Sequence, residues 1–411
     1  MRKLFCLLSL LCAIAVHGQQ YMRLWKGAES TRLQQEDVTF SNSGTTISVG
    51  GQSYATSTVD SITIVKTIFI TWNGASASVV IPESAKDEVV ATTSGSHVTI
   101  TNNNVFQEME FVLSGTSNDG SLTYNGQYKC KFHLNGLNLT SAIGGALNIQ
   151  CGKRIDLILA DGTSNTLTDA ANGTHKAALY CKGHLEVSGS GSLRVAGNTK
   201  HAIQTKEYLL LKNSCGPITI AKATSDAFHV GQYFMMNDGS ITIDDNTLGD
   251  GIQVDATEDP ADELNGQAFV KGGKIQITIA SQDCKGIKTS ASETLTGSVI
   301  VPAGDITISG GTINIIAKGG GSRGIQTDAN VTITADDSAP SVTINATGGR
   351  CTLPDCVYDP HRCVGIKVGK TFTTTGGLTI VSNTGSKSRA VQCTAFSTAP
   401  GTYDGGEIVV K

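Results

Sequence analysis

A tetrad that recurs nine times constrains this chain more than any other feature. It reads small residue, aliphatic residue or Phe, mostly polar residue, then Cys, Thr or Val. The copies are Asn148-Ile149-Gln150-Cys151, Ala178-Leu179-Tyr180-Cys181, Ala202-Ile203-Gln204-Thr205, Ala227-Phe228-His229-Val230 and Gly251-Ile252-Gln253-Val254. They continue as Gly286-Ile287-Lys288-Thr289, Gly324-Ile325-Gln326-Thr327, Gly365-Ile366-Lys367-Val368 and Ala390-Val391-Gln392-Cys393. Successive second members are 30, 24, 25, 24, 35, 38, 41 and 25 residues apart. A basic period with longer exceptions describes one structural unit stacked many times, with loops inserted at some turns.

Within each tetrad apolar and polar residues alternate, the period-2 pattern of a strand with one buried face. A second apolar strand precedes most tetrads: Leu193 leads Ile203 by 10 residues, Ile218 leads Phe228 by 10, Ile241 leads Ile252 by 11, and Leu378 leads Val391 by 13. A third short strand follows the tetrad, as in Tyr208-Leu209-Leu210-Leu211 and Tyr233-Phe234-Met235-Met236. Three short strands per coil predict an all-β, single-stranded parallel β-helix, a solenoid whose equivalent residues stack about 4.8 Å apart. The 47 Gly and 5% aromatic residues suit tight turns and a narrow core. A β-sandwich also alternates, but its strands would not repeat one tetrad nine times.

The ends read differently. Arg2 and Lys3, an apolar stretch from Leu4 to Val16, and Val16-His17-Gly18 form a secretory signal over residues 1–18, which predicts an exported protein. Residues 19–66 predict a small N-terminal β element, with strands at Tyr21-Met22-Arg23-Leu24-Trp25 and Val59-Asp60-Ser61-Ile62-Thr63-Ile64. It resembles the short N-terminal β element of many exported proteins of the Bacteroidota. The solenoid is expected over 67–411, its first coils or a cap lying in 67–145. Three insertions interrupt it, at 256–266, 291–304 and 347–362. No segment other than the leader approaches the roughly 20 apolar residues of a membrane helix. The net charge of −4, with Lys and Arg scattered, offers nucleic acid no basic patch.

Nine cysteines remain without Cys6 and Cys12. Cys151, Cys181 and Cys393 hold the fourth tetrad position and read as small core residues, with a Cys151–Cys181 bridge as the alternative. Cys351, Cys356, His361 and Cys363 share the 347–362 insertion. Their spacing favours a disulfide staple over zinc.

Two columns carry the chemistry. The residue before each tetrad gives His201, Asp226, Asp250, Lys285, Arg323, Val364 and Arg389. Asp226 and Asp250 fall on adjacent coils, where two carboxylates need a cation or a shared proton. Oxygen-rich clusters take calcium, and Asp255, Glu258, Asp259, Asp262 and Glu263 stand close in sequence. Turn capping through backbone amides is the competing role for Asp226 and Asp250, and a solvated surface for the loop acids. The third tetrad position gives the outward column Gln150, Tyr180, Gln204, His229, Gln253, Lys288, Gln326, Lys367 and Gln392. Its amides and amines match the hydroxyls and carboxylates of an extended polysaccharide, or form an ordinary wet face. His229 beside Asp226 reads as structural. No nucleophile elbow, P-loop, dinucleotide fingerprint or zinc-protease helix is present.

Along the chain come Phe111-Val112-Leu113-Ser114-Gly115, Gly152-Lys153-Arg154-Ile155 leading to Leu159-Ala160-Asp161-Gly162-Thr163-Ser164-Asn165, Ser225-Asp226-Ala227-Phe228-His229, Gly249-Asp250-Gly251-Ile252 and Lys285-Gly286-Ile287-Lys288. The stretch 85–395 thereby resembles the carbohydrate-binding family typified by a clostridial cellulose- and polygalacturonate-binding protein. The resemblance implies a right-handed parallel β-helix related to pectate lyases, bound calcium, and binding of acidic plant polysaccharide more than cleavage. It places calcium at Asp226 and Asp250. Lys285, Arg323, Val364 and Arg389 replace this Asp in later coils.

Three functions compete. A non-catalytic calcium-dependent polysaccharide-binding protein uses Gln204, His229, Gln253, Lys288, Gln326 and Lys367 for the glycan and Asp226, Asp250 and Asp255 for the metal. A calcium-dependent pectate-type lyase uses Lys285 or Lys288 as the base. A structural or adhesive surface solenoid contacts protein through the insertions.

Overall fold

The computed structural model describes residues 21–410 apart from 27–28, 35–38, 42–43, 50–51, 258, 260, 291–294, 297–298, 301–303, 337, 357–360, 399–401 and 405–407. The expected leader over 1–18 lies outside the described residues. The rest is all-β. Among the described residues there is no α-helix, and short 3₁₀ turns occur at Thr56–Thr58, Glu83–Ala85 and Pro354–Cys356.

The tetrads form one parallel ladder. Leu179 pairs with Ile203, Ile203 with Phe228, Phe228 with Ile252, Ile252 with Ile287, Ile287 with Ile325, Ile325 with Ile366, and Ile366 with Val391. All of these side chains are buried, and burying such a side chain contributes about 1.5–3 kcal/mol. Strands such as Leu209–Leu211 and Tyr233–Met236 form a second parallel ladder. Strands such as Ser192–Gly197, Pro217–Ala223 and Ser240–Ile243 form a third. Each coil contributes one strand to each ladder, which makes the molecule a three-faced parallel solenoid. The long strand Cys130–Thr140 runs through two faces, its first half pairing with Ile155–Leu159 and its second with Ser164–Thr168.

The small first position of the tetrad follows from coil stacking. A Cβ on Gly286 would lie 2.5 Å from Gly324 O, and one on Gly324 2.4 Å from Ile344 Cγ2. Open edges are the liability of any such stack. At the N-terminal end two antiparallel strands cover them: Ser76–Val80 lies against Thr67–Asn73, and Val89–Ser94 against Ser96–Asn102. Beneath this cap, Phe111, Tyr124 and Phe132 form a buried cluster with ring centroids 5.1 Å apart. Ahead of it, Tyr21–Lys26 pairs antiparallel with both Glu29–Gln34 and Ser61–Val65.

The structure corrects two registers. Leu147, not Ile149, pairs with Leu179, and Asn148 pairs with Tyr180. The first copy of the tetrad is therefore Ala146-Leu147-Asn148-Ile149. A two-residue slip keeps every side chain on its face, so alternation alone does not reveal it. Cys151 consequently lies beyond the level of Cys181; both are free and buried. In the third ladder Val342 pairs with Thr379, and Leu378 pairs with Ser341. Thr379 is fully buried and Leu378 is 51% exposed. The true interval to Val391 is 12, the same as from Ile275 to Ile287 and from Ile313 to Ile325.

The insertions differ in kind. Asn265 ties 256–266 together, accepting from Thr257 N at 2.8 Å and donating to the carbonyls of Thr257 and Asp259. Within 291–304, Leu295–Thr296 and Val299–Ile300 pair antiparallel. In 347–362, Cys351 and Cys356 form a disulfide, while Cys363 is a free buried thiol.

Candidate functional site

The column ahead of the tetrads is built by backbone capping. Asp226 N donates to His201 Nδ1 at 3.3 Å, Asp250 N to Asp226 Oδ1 at 2.9 Å, and Lys285 N to Asp250 Oδ1 at 2.8 Å. Each side chain thus satisfies the amide of the next coil. The aspartates therefore do cap turns, with one oxygen apiece. The other oxygen of each faces the outward column.

There the groups form a connected network. His229 Nδ1 is 2.9 Å from Asp226 Oδ2, and His229 Nε2 is 3.3 Å from Asp255 Oδ2. Gln253 donates from Nε2 to Asp255 Oδ1 at 2.6 Å, and Ser290 Oγ donates to the same oxygen at 3.0 Å. Lys288 Nζ donates to Gln253 Oε1 at 2.9 Å and lies 3.4 Å from Asp250 Oδ2. Burial acts on both capping aspartates, with opposite outcomes. At Asp226 it pushes the pKa up, but hydrogen bonds from His201, His229 and the Asp250 amide outweigh it and hold the carboxyl well below the usual carboxylate range. At Asp250 burial prevails over Lys285 and Lys288, and the pKa is raised. Burial also lowers His201, against the pull of Asp226. Two neighbouring carboxyls whose environments drive them apart mark a candidate functional site.

The outward column itself is continuous. Tyr180, Gln204, His229, Gln253, Lys288, Gln326, Lys367 and Gln392 pair in register from coil to coil. Gln150 does not belong to it; Asn148 and Thr123 extend the column instead. The buried oxygens Gln204 Oε1 and Gln326 Oε1 find no hydrogen-bond partner among the described residues. At the N-terminal end the same face opens into a cleft of about 410 Å³, lined by Thr123, Asn148, Gln150, Ile143, His175, Lys176 and Tyr180. Lys176 Nζ sits 5.5 Å from the Tyr180 ring centre. The tetrad gave Tyr180 and Gln150. The loop residues Ile143, His175 and Lys176 belong to no repeat, so no periodic signal pointed to them.

Lys285 donates to Asp283 O at 2.6 Å, so both lysines named as possible bases are bonded to oxygen. Two of the loop acids are occupied locally, Asp262 accepting from Thr257 and Asp259 from Ala261 N, while at Glu263 it is the backbone carbonyl that accepts from Gln232; Glu258 lies outside the described residues. Cys356, close to Asp283 and His361, has its sulfur in the disulfide and is no thiolate ligand.

A family model described as carbohydrate-binding domain-containing protein matches residues 94–301, half of the chain. The chain belongs to this family. The matched region holds the cleft, His201, both capping aspartates, Asp255 and Lys288. It ends before Gln326. Over 120 residues, 27% of the chain, it is 28% identical to a carbohydrate-binding domain-containing protein of Acetivibrio thermocellus. The aligned stretch spans 41% of that relative's length. Among solved structures, a polysaccharide lyase-like protein from C. thermocellum, in a gadolinium derivative, is similar with a TM-score of 0.49 and 21% identity, over 67% of this chain and 96% of that one.

Proposed function

We propose that this family member is an exported, non-catalytic, calcium-dependent polysaccharide-binding protein for acidic plant-type glycans such as polygalacturonate, or for cellulose. The single observation that carries the reading is the in-register outward column from Tyr180 to Gln392, which runs out of the cleft along one face. A regular line of amides, amines and one aromatic ring suits an extended repeating ligand, and Lys288 and Lys367 suit its carboxylates. Under this reading the coils wind right-handed in pectate-lyase-like fashion, the hand that parallel crossover connections take in nearly all proteins.

The three aspartates divide in their fitness for calcium. Calcium takes six to eight oxygen ligands. Asp250 and Asp255 offer oxygens, with Gln253 Oε1 and Ser290 Oγ beside them. Around Asp226 the neighbours are imidazole nitrogens. Calcium bound by Asp250 and Asp255 would neutralise their charge and leave coordination positions for glycan oxygens.

The test is affinity electrophoresis in gels containing polygalacturonate, with calcium and with EDTA, alongside an assay for unsaturated uronide products. Retardation that requires calcium, without product, is expected. Melting that EDTA leaves unchanged would count against the calcium assignment. Product release, abolished by Lys288→Ala or Lys285→Ala, would make the lyase reading the correct one. Neither retardation nor product would favour an adhesive solenoid.

A further inference from the structure

The donors around Asp226 are of another class than calcium's. His201 and His229 lie on adjacent coils with their rings stacked, centroids 4.3 Å apart and planes at 23°. Asp226 Oδ2 stands 3.3 Å from His201 Nδ1 and 2.9 Å from His229 Nδ1. One donor atom from each of the three residues lies within 4.8 Å of the others. Donors around a tetrahedral zinc ion sit about 3.3 Å apart, for bonds of about 2.0–2.2 Å.

We propose that His201, Asp226 and His229 form a binding site for a nitrogen-preferring divalent transition metal of the zinc class. Three further features support it. Asp226 Oδ1 is fixed by the Asp250 amide, which leaves Oδ2 as a single preset ligand. His229 presents Nε2 to Asp255 Oδ2 at 3.3 Å while Nδ1 faces the site. A carboxylate on the far nitrogen is the arrangement that fixes the tautomer of a metal-bound imidazole. Finally, His201 is 1% exposed, so packing holds its ring beside Asp226. Its Nδ1 meets both the N–H and the carboxylate oxygen of Asp226 at 3.3 Å. No tautomer serves a donor and an acceptor with one nitrogen; a dication between Nδ1 and Oδ2 removes the opposition of the two acceptors, and in binding it takes the Nδ1 lone pair from the Asp226 N–H. His229 is only partly buried, so the remaining coordination positions open toward the outward column, where water or a glycan oxygen can enter. Soft-to-borderline metals choose imidazole, and calcium chooses oxygen.

The experiment titrates the metal-free chain with cobalt(II), whose visible absorption reports nitrogen coordination, with no glycan present. One equivalent bound is expected, displaced by zinc and retained against about a hundredfold excess of calcium, in keeping with the ligand preferences of these ions. His229→Gln should weaken cobalt binding by more than tenfold, and Asp255→Asn by about tenfold, the usual effect of losing an outer carboxylate. Circular dichroism checks that each variant is folded; should His229→Gln not fold, Asp255→Asn carries the test. Cobalt binding that calcium displaces equally well, or that both variants leave at the wild-type level, would overturn the proposal. Because the titration contains no glycan, its failure leaves the polysaccharide reading standing, and failure of retardation in the gels leaves the metal site standing.

Discussion

Two outward columns of this solenoid occupy equivalent positions and are built from opposite chemistry. On the second ladder Glu110, Lys131, Asp156 and Glu186 stack in register. Their charges are closed among themselves and their neighbours. Lys131 pairs with Glu108 at 3.0 Å, Arg154 with Glu108 at 3.1 Å, and Lys212 with Asp156 at 2.7 Å and with Glu186. Arg23, from the N-terminal element, reaches Glu110 at 2.6 Å. Tyr208 donates to Glu186 at 2.7 Å and stacks on Tyr233 with centroids 4.6 Å apart. The tetrad column instead alternates amides with amines and leaves amide oxygens without partners. The coil spacing is common to both, and Lys288 and His229 are ion-paired too, so the difference teaches that amide oxygens left without partners, not architecture, separate a face that can present groups to a ligand from a face that holds the stack together.

Four variants sharpen or break that contrast. The largest effect is expected from Glu186→Ala, which takes the acceptor from Tyr208 and one of two carboxylate partners from Lys212. Losing charge-assisted hydrogen bonds at a nearly buried group should cost about 2 kcal/mol, read as a lower urea midpoint with unchanged glycan retardation. Weaker retardation in a folded Glu186→Ala protein would place the ligand on the wrong face. Tyr180→Ala removes the aromatic wall of the cleft and should lower glycan affinity about tenfold, or about 1.4 kcal/mol, measured by the same electrophoresis. Lys288→Ala should weaken binding of an acidic glycan only a few-fold at low salt, and the difference should vanish at high salt, because a partly exposed charge is screened.

The smallest effect concerns pH. Burial raises Glu186, but hydrogen bonds from Lys212 and Tyr208 outweigh it and the pKa is lowered. A carboxyl depressed on folding stabilises fully above its unfolded value of about 4.3 and loses that contribution as pH falls through the folded value. The stability gap between wild type and Glu186→Gln should therefore be constant near neutrality and narrow below about pH 4. A gap that widened in acid would contradict the ion-pair assignment.

Much of the fold was legible because a stacked solenoid repeats its constraints. Ile203, Phe228, Ile252 and Ile287 meet the same neighbours in successive coils, so the same pattern must recur. Legibility failed where repetition did. Asn148 and Gln150 both alternate correctly, and only hydrogen bonding showed that Asn148 stacks on Tyr180. Leu378 looked like a core residue by type, yet coil pairing turned it outward and put Thr379 inside. The site was half legible. The Asp226–Asp250 adjacency followed from spacing alone. The contact of His201 with Asp226, and of Asp255 with His229, depended on which way side chains leave two adjacent coils.

The amino-acid order by itself determined that this chain stacks small β coils, which tetrad residues from Leu179 to Val391 point inward, and which polar groups from Tyr180 to Gln392 form an outward line. Those follow from local alternation and a fixed repeat. Only the tertiary structure decided the register of the first coil, the closure of charge on the second ladder, the cleft beside Tyr180, and the meeting of two imidazoles with one carboxylate. Each of these depends on loops and rotamers from different coils converging in space, and periodicity along one chain does not encode that convergence.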